Sequence, residues 1–223
     1  MINKQVSSAA EAVADIKDGA TVLVAGFGAI GVPNTLIDAL HDHGAKELTI
    51  VSNNAGSGDR GLARLIDSRR VRKYICSYPR SGDYRAFLEA YKEKRLELEL
   101  VPQGTISERI RAAAAGLGGF FTRVSADTRL AEGKEMREID GLMYVLEKPL
   151  KGDVALIKAK KADRWGNLVY RKSARNLNPV MAMGADFTLA EVDELVDLGD
   201  LDPEVIGTPS IFVDRVLVTG GNP

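Results

Sequence analysis

Amide side chains follow two predicted strands of this sequence, close to the points where those strands end. Asn53 and Asn54 come directly after the apolar run Leu48–Val51 and a serine, and Gln103 follows a run of alternating leucines. Because the carboxyl ends of parallel strands meet at one edge of a sheet, we expect these amides to share a ligand crevice. Amides can orient a carboxylate or a carbonyl without changing their charge. A local turn is by itself the simpler explanation of Asn53 and Asn54, but the third amide favours a polar binding site.

A glycine-rich loop lies between the first predicted strand and the helix that follows it. Its residues are Ala25, Gly26, Phe27, Gly28, Ala29, Ile30 and Gly31. The spacing matches G-x-G-x-x-G, in which backbone amides approach a phosphate and the following helix N-terminus favours an anion. A nicotinamide dinucleotide site also needs an acidic residue at the end of the second strand, where this chain has Ser52, Asn53 and Asn54. The loop therefore favours a different nucleotide-like ligand, with a tight turn that binds nothing as the alternative.

The chain offers little for metal or thiol chemistry. Its one cysteine, Cys76, ends an apolar run with no histidine near it in sequence, which favours a buried structural thiol over a nucleophile. The two histidines, His41 and His43, stand just before Gly44, with no carboxylate or cysteine at a metal-ligand spacing. We interpret them as solvated residues at a helix end, and we expect no metal site.

The overall composition is that of a globular protein with balanced charge. The 223 residues include 30 basic and 31 acidic side chains, a net charge of −1, and 45% of the residues are hydrophobic. This balance excludes a strongly basic nucleic-acid binder and an acidic disordered tail. No apolar stretch approaches the roughly 20 residues that span a bilayer, and no secretory signal pattern is visible. A cytoplasmic protein that folds as one domain over residues 1–223 is expected.

The elements that must position these residues alternate between strand and helix. Apolar runs that predict buried strands lie at residues 21–24, 48–51 and 71–76, and alternating leucines mark another at 96–100. Helical spacing occupies residues 7–16, 33–41, 62–67 and 84–94. Later strand candidates lie at residues 143–146, 154–159, 168–171, 187–192 and 211–218. The pattern predicts an α/β fold with an open, mostly parallel sheet, helices on both faces, and a less regular, more antiparallel C-terminal portion.

Several motifs together resemble those of a known family. They are DGATVLVAGFGAIGVP at 18–33, SNNAG at 52–56, VPQGT at 101–105, DRWGNLVYRK at 163–172 and TPSIFVD at 208–214. Over nearly the whole chain, these residues are similar to the alpha-type subunit of family I coenzyme A transferases. The resemblance implies the open α/β sheet of that family.

The same resemblance implies a catalytic site divided between two chains. In the family, a homologous beta-type chain carries a glutamate in a Ser-Glu-Asn-Gly loop, and this glutamate takes CoA from an acyl-CoA in a ping-pong reaction. This chain has Asn53 at the corresponding place, so it should be inactive alone and act in an α2β2 assembly. By resemblance, Asn53, Asn54 and Gln103 face the partner's glutamate and bind substrate, and residues 25–31 bind coenzyme A. The CoA thioester is then a substrate, and no permanently bound cofactor is implied.

Finer similarities predict the acceptor acid. CSYPR at 76–80 and RWGN at 164–167 look more like the branch that acts on 3-oxoadipate, whereas Asn178 matches the branch that acts on acetoacetate. The second carboxylate of 3-oxoadipate needs a cation. Arg80 is our hypothesis for it, because arginine can meet a carboxylate with two hydrogen bonds; a solvated loop arginine is the alternative.

One segment departs from the family pattern. Arg123, Ser125 and Asp127 replace a proline and two glycines of a family loop, and a non-glycine residue at positive φ costs about 1 kcal/mol. This departure keeps open a non-catalytic subunit that binds an acyl-CoA or an acid. A nucleophile within this chain is a further alternative, but Glu108 is better explained by a capping box, TISE, that opens a helix through residue 115, and Glu132 by a charged loop.

Overall fold

The framework of the protein is an open sheet of eight strands, seen in a computed structural model that describes residues 2–220. The strands of the chain are β1 (Thr21–Val24), β2 (Leu48–Val51), β3 (Val71–Cys76), β4 (Glu97–Leu100), β5 (Phe120–Thr122), β6 (Met136–Ile139), β7 (Leu142–Glu147), β8 (Gly152–Asp163), β9 (Leu168–Val169), β10 (Ala185–Val196) and β11 (Arg215–Val218). The large sheet has the order β11-β10-β8-β1-β2-β3-β4, with β9 paired to β8. Its pairings are parallel except that of β9. The predicted mostly parallel sheet is confirmed.

Helices cover both faces of this sheet. They are α1 (Ala9–Val13), α2 (Asn34–His43), α3 (Gly61–Asp67), α4 (Arg85–Lys92), α5 (Gln103–Ala114) and α6 (Asn178–Met183). Short 3-10 helices span Arg129–Ala131, Lys172–Arg175, Pro203–Val205 and Ser210–Phe212. In β1, Val22 and Val24 join the apolar layer under α1 to α4, whereas Leu23 joins the layer under α5 and α6. Within residues 2–220, no helix is long and apolar enough to cross a bilayer.

The predicted helix after the glycine-rich loop is confirmed as α2, which begins one residue later and ends two residues later than predicted. Pro33 directly precedes the helix, and Gly44 ends it in the left-handed conformation, with φ at 90°. The Gly44 N–H donates to the Leu40 carbonyl at 3.4 Å. Glycine has no Cβ to oppose this conformation, so the chain can leave the helix at this point.

The prediction of a more antiparallel C-terminal portion is confirmed in part, because the antiparallel pairings between named strands all lie after residue 119. Antiparallel pairing is concentrated in the middle of the chain, where β5, β7 and β6 form a separate three-stranded sheet. The late strands β8, β10 and β11 are parallel neighbours. Parallel neighbours need a crossover, and between β8 and β10 it includes α6. That helix has only six residues, too few to show a helical period in the sequence.

The predicted capping box is also wrong. Helix α5 already begins at Gln103, directly after Pro102. Proline presets the backbone for the start of a helix, and Pro102 has φ at −54°. Thr105 consequently lies buried inside the helix, and Glu108 pairs with Arg111 at 3.2 Å instead of capping.

Two long strands extend the sheet past the end of β1. Strands β8 and β10 have 12 residues each and pair in parallel along their length. Strand β1 ends at Val24, opposite Leu156, so the later residues of β8 have no β1 neighbour. The carboxyl ends of parallel strands form the ligand crevice of open α/β sheets. The extension of β8 and β10 therefore forms a wall beside the loop that follows β1.

Candidate functional site

The glycine-rich loop folds as a small hairpin, which we call the glycine hairpin (residues 25–31). The Phe27 N–H donates to the Ile30 carbonyl at 3.0 Å, and the Ile30 N–H donates to the Phe27 carbonyl at 3.1 Å. Gly28 has a φ of 61° at the first central position, as a type II′ turn requires. Phe27 and Ile30 are 49% and 52% exposed. The hairpin therefore projects its apolar side chains from the carboxyl edge of the sheet.

Asparagines from a distant segment hold the hairpin in place. The Asn176 Nδ2 group donates to the Ile30 carbonyl at 3.0 Å, and Asn178 Nδ2 donates to the Gly31 carbonyl at 3.2 Å. Gly31 has a φ of 68°, and a Cβ added there would lie 2.5 Å from the Ala174 carbonyl oxygen. Only glycine fits this approach. The sequence motif that contains Asn178 did not reveal this structural role.

The N-terminus of α2 does not offer the anion site expected from the glycine motif. Glu191, on β10 and 4% exposed, accepts hydrogen bonds from the N–H groups of Thr35 at 2.8 Å and Leu36 at 3.2 Å. Its other oxygen lies 3.1 Å from Lys158 Nζ. The protein's own carboxylate thus occupies the place that a phosphate takes in a dinucleotide site. The expectation of an external anion at this helix end is wrong.

A crevice of about 610 Å³ opens between the glycine hairpin and the start of α3. Residues 25, 26, 28 and 29 line one side, and residues 56–62 with 81 and 82 line the other. Asn54 and Ser52 lie at its base, at the end of β2, and Asn34 lies at its rim. Arg60 and Asp59 are the charged residues of the described lining. Sequence reasoning missed both, because no spacing pattern links the α3 entry to the glycine motif.

The two asparagines after β2 have different roles. Asn54 Oδ1 accepts from the Gly56 N–H at 2.9 Å, which is the local turn considered above. Its Nδ2 group lies 3.5 Å from the Gly28 carbonyl, a long and therefore weak contact, and Asn54 lines the crevice. Asn53 does not line the crevice; its Oδ1 accepts from Ser77 Oγ at 2.8 Å. Both side chains are 6% exposed.

The remaining predicted residues lie outside the crevice lining. Gln103 is exposed at the first position of α5, and Arg80 is exposed beside the lining residues 81 and 82. Glu108 and Glu132 are exposed on other parts of the surface, where Glu132 lies 3.5 Å from Arg129. Roles of Gln103 and Arg80 in binding substrate therefore stay predictions.

The altered family loop contains one strained residue. Ser125 has a φ of 70°, whereas Asp127 does not adopt a positive φ. The strain expected for a replaced glycine is therefore present at one of the two positions. Thr128 stabilises the turn, because its N–H and its hydroxyl both donate to the Ser125 carbonyl, at 3.0 and 2.9 Å.

A second cavity, of about 420 Å³, lies on the other side of the glycine hairpin. We call it the basic cavity; its lining includes Lys158, Lys160, Asp193, Arg171 and Lys172. Asp193 lies 2.7 Å from the Lys158 ammonium and 3.1 Å from that of Lys160. Burial alone would raise the pKa of Asp193, but hydrogen bonds from the two lysines outweigh it and hold the pKa below its ordinary value. Asp193 is therefore a carboxylate at neutral pH.

The Cys76 thiol is expected to be unreactive in the folded protein. It is fully buried at the end of β3, and burial raises its pKa to about 12. Since the thiolate is the nucleophile, only about one chain in 10⁴ carries it at pH 8. A disulfide reagent at pH 8 should label fewer than about a tenth of the native chains. In guanidinium, the same reagent should label about one thiol per chain. Rapid labelling of the native protein would contradict this prediction. The variant Cys76→Ser, which has no thiol, measures the background signal of the reagent.

The histidines take part in local contacts at the end of α2. His41 Nδ1 lies 2.9 Å from Asp42 Oδ1, and His43 Nε2 lies 3.3 Å from the Ala14 carbonyl. Over residues 2–220, no three His, Cys, Asp or Glu side chains are grouped so that they could hold a metal ion.

The structure has an open parallel sheet, with the glycine hairpin and the crevice lined by Asn54 at its carboxyl edge. This is the arrangement expected above for a coenzyme A transferase. Residues 6–219 match the family model described as Coenzyme A transferase, and the chain belongs to that family.

Several curated proteins are similar to this chain over nearly its full length. The A-type subunit of 3-oxoadipate CoA-transferase from Pseudomonas putida is 57% identical, over 99% of this chain and 96% of that protein. The corresponding 3-oxoadipate CoA-transferase chain from Acinetobacter baylyi is 54% identical, over 100% of this chain and 98% of that protein. The A-type subunit of a probable succinyl-CoA:3-ketoacid coenzyme A transferase from Bacillus subtilis is 47% identical, over 97% and 90%.

Solved structures share the fold. An acyl-CoA transferase from Escherichia coli O157:H7, in a thioester complex with CoA, has a TM-score of 0.84 at 25% identity. The match covers 99% of this chain and 48% of that protein, so this chain spans about half its length. Glutaconate coenzyme A-transferase from Acidaminococcus fermentans has a TM-score of 0.85 at 20% identity, over 96% of this chain and 75% of that one, which shows the fold alone.

Proposed function

We propose that this chain is the alpha-type subunit of an enzyme that transfers CoA from succinyl-CoA to 3-oxoadipate. The observation that carries the proposal is full-length identity of 57% and 54% to two proteins named for 3-oxoadipate, against 47% and 48% to two 3-ketoacid relatives. The CoA thioester is a substrate of this reaction, which needs no permanently bound cofactor. A cytoplasmic location is part of the proposal.

The nucleophile belongs to the partner beta-type subunit in this proposal. Its glutamate carboxylate attacks the thioester carbonyl of succinyl-CoA, the C–S bond breaks, and an acyl–glutamyl anhydride and CoA thiolate form. The thiolate then attacks the glutamyl carbonyl, which gives a glutamyl–CoA thioester and releases succinate. A carboxylate of 3-oxoadipate then attacks the glutamyl–CoA thioester, which releases CoA thiolate and forms a new acyl–glutamyl anhydride. The thiolate attacks the 3-oxoadipyl carbonyl of this anhydride, which gives 3-oxoadipyl-CoA and restores the glutamate. Asn53 is buried and hydrogen-bonded to Ser77, and an amide cannot form the anhydride.

In this proposal, Asn54 supplies a polar group beside the reacting carbonyl. The Asn54 Nδ2 group is available at the base of the crevice, beside the glycine hairpin. A fixed donor of this kind stabilises negative charge on a carbonyl oxygen and is worth about 3 kcal/mol in a dry site. The exposed apolar residues Phe27 and Ile30 are suited to exclude water when the partner chain closes over the crevice.

The alternative acceptor is acetoacetate or another 3-oxo acid. The similarity that favours it, Asn178, has no direct route to the acceptor, because this residue is fully buried. Its Oδ1 accepts from the Lys158 N–H at 2.7 Å, and its Nδ2 group is bound to the Gly31 and Ala174 carbonyls. In the proposal, an exposed cation meets the second carboxylate of 3-oxoadipate, either Arg80 or the crevice residue Arg60.

The test measures CoA transfer from succinyl-CoA by this chain alone, by its beta-type partner alone, and by the assembled mixture. Transfer is expected only in the mixture, in an α2β2 complex, with kcat/KM higher for 3-oxoadipate than for acetoacetate. The matched substitutions Arg80→Gln and Arg60→Gln identify the cation that meets the second carboxylate, since only that change should lower the preference.

Other outcomes correct the proposal at defined points. Activity of this chain alone would place the nucleophile here after all. A preference for acetoacetate would assign the alternative substrate. An assembled complex that binds acyl-CoA without turnover on either acid would support the non-catalytic subunit suggested by the strained loop at Ser125.

A further inference from the structure

The basic cavity contains two cations that the fold itself does not neutralise. Lys158 and Lys160 share the Asp193 carboxylate, and Lys158 also pairs with Glu191. Arg171 and Lys172 are exposed at the entrance and have no carboxylate partner within the described residues. Two neighbouring cations without a carboxylate partner repel each other, and an anion bound between them would relieve that repulsion.

The backbone at this entrance is strained. Lys172 has a φ of 50°, which a non-glycine residue adopts at a cost of about 1 kcal/mol. It begins the 3-10 helix Lys172–Arg175, and that helix leads into the asparagines that hold the glycine hairpin. Strained residues of this kind concentrate at ligand sites. The strain at Lys172 thus marks the same place as the unpaired charges.

The basic cavity adjoins the crevice at the tip of the hairpin. Ala29 and Val32 line both spaces, and Ile30 and Gly31 continue along the basic side. One long ligand can therefore lie across the hairpin with one end in each space. Because Glu191 occupies the helix N-terminus, the phosphates of such a ligand must be neutralised by side chains elsewhere.

We propose that the basic cavity binds the phosphate groups of the CoA thioester, with Arg171 and Lys172 as their direct partners. This inference rests on the proposed function, in which the thioester end lies in the crevice. CoA carries its charge on phosphates at the end remote from sulfur, which suits two cations on the far side of the hairpin. The guanidinium of Arg171 can bind a phosphate with two hydrogen bonds, and Lys172 adds a flexible point charge.

The test compares two thioesters in the assembled enzyme, succinyl-CoA and succinyl-pantetheine, which lacks the phosphates. Arg171→Gln and Lys172→Asn remove the charges, and asparagine tolerates the positive φ at position 172. Each substitution should lower kcat/KM for succinyl-CoA about fivefold, and both together about 20-fold. The kcat/KM for succinyl-pantetheine should change by less than about twofold, since this thioester has no phosphate for Arg171 and Lys172 to contact. Arg175→Gln is the matched control, because Arg175 lies on the same 3-10 helix but does not line the cavity.

Direct binding separates this inference from the proposed function. Calorimetric titration of CoA into the assembled complex needs no acceptor acid, and the double variant should weaken its Kd about 20-fold. If the complex transfers CoA to neither 3-oxo acid, the proposed function fails, and the CoA titration still decides the inference. An equal loss with both thioesters, or an unchanged Kd for CoA, would overturn it.

Discussion

Replacing Asn54 by alanine is expected to lower kcat of the assembled transferase about 100-fold, with little change in KM. Among the described residues, the Asn54 Nδ2 group is the one amide donor at the base of the crevice, and its contact with the Gly28 carbonyl is long, at 3.5 Å. A donor directed at a developing oxyanion acts mainly on the transition state, and removing one costs about 10²–10³ in kcat. Steady-state kinetics with succinyl-CoA and 3-oxoadipate measure the loss.

A second substitution separates catalysis from folding. Asn54→Asp keeps an oxygen to accept from the Gly56 N–H, a hydrogen bond of 2.9 Å in the native chain, but removes the amide donor. Because Asn54 is 6% exposed and the new carboxylate would face the Gly28 carbonyl, the free energy of unfolding should fall by at least about 1 kcal/mol. The kcat of the folded complex should fall at least as far as that of the alanine variant. Asn34→Ala removes another amide of the same crevice and should leave kcat within about threefold. If Asn54→Asp retained most of the wild-type kcat, the donor role would be wrong.

Replacing Glu191 by alanine should lower the free energy of unfolding by about 3 kcal/mol. Glu191 is 4% exposed, accepts from two N–H groups of α2, and pairs with Lys158. Breaking a buried ion pair costs about 3–5 kcal/mol, and losing a helix N-cap about 1 kcal/mol. Lys158 keeps Asp193 at 2.7 Å as a second partner, which places the expected cost at the lower end of that range. Urea titrations measure the difference.

The chain offers a matched control on the same strand. Glu194 lies directly opposite Lys161, as Glu191 lies opposite Lys158, but the Glu194–Lys161 pair is 49% and 40% exposed. Glu194→Ala should therefore cost less than about 1 kcal/mol. Glu191→Gln keeps an acceptor for the helix and should cost less than Glu191→Ala. Similar losses for Glu191→Ala and Glu194→Ala would contradict the role of the buried carboxylate.

The glycine hairpin and Glu191 show why the glycine motif predicted only part of this site. The sequence indicated a turn between β1 and α2, because glycine spacing and Pro33 act through local backbone preferences; binding of coenzyme A by residues 25–31 stays a prediction. The sequence did not predict that this turn would form a projecting hairpin in which Phe27 and Ile30 are exposed. Nor did it predict that Glu191, more than 150 residues later, would take the anion position. Contacts over such separations leave no local pattern.

The errors at α5 and in the late strands have similar causes. Two signals could set the start of α5, the proline at position 102 and the capping box that begins at Thr105. The helix begins directly after Pro102, so Thr105 lies inside it and cannot cap it. The parallel arrangement of β8 and β10 depends on a six-residue helix between them. Short elements carry too few residues to establish a period, so their direction is decided by packing against the sheet.

The sequence by itself determined the alternation of strands and helices, the family, and the presence of an amide where the family's nucleophile would stand. Apolar runs, glycines and prolines act within a few residues, and motifs are read in order along the chain. Only the tertiary structure decided that Asn54 rather than Asn53 lines the crevice, and that Arg171 and Lys172 lie at a second cavity beside it. Those positions depend on strand register and on how distant segments pack around one hairpin, which no local pattern encodes.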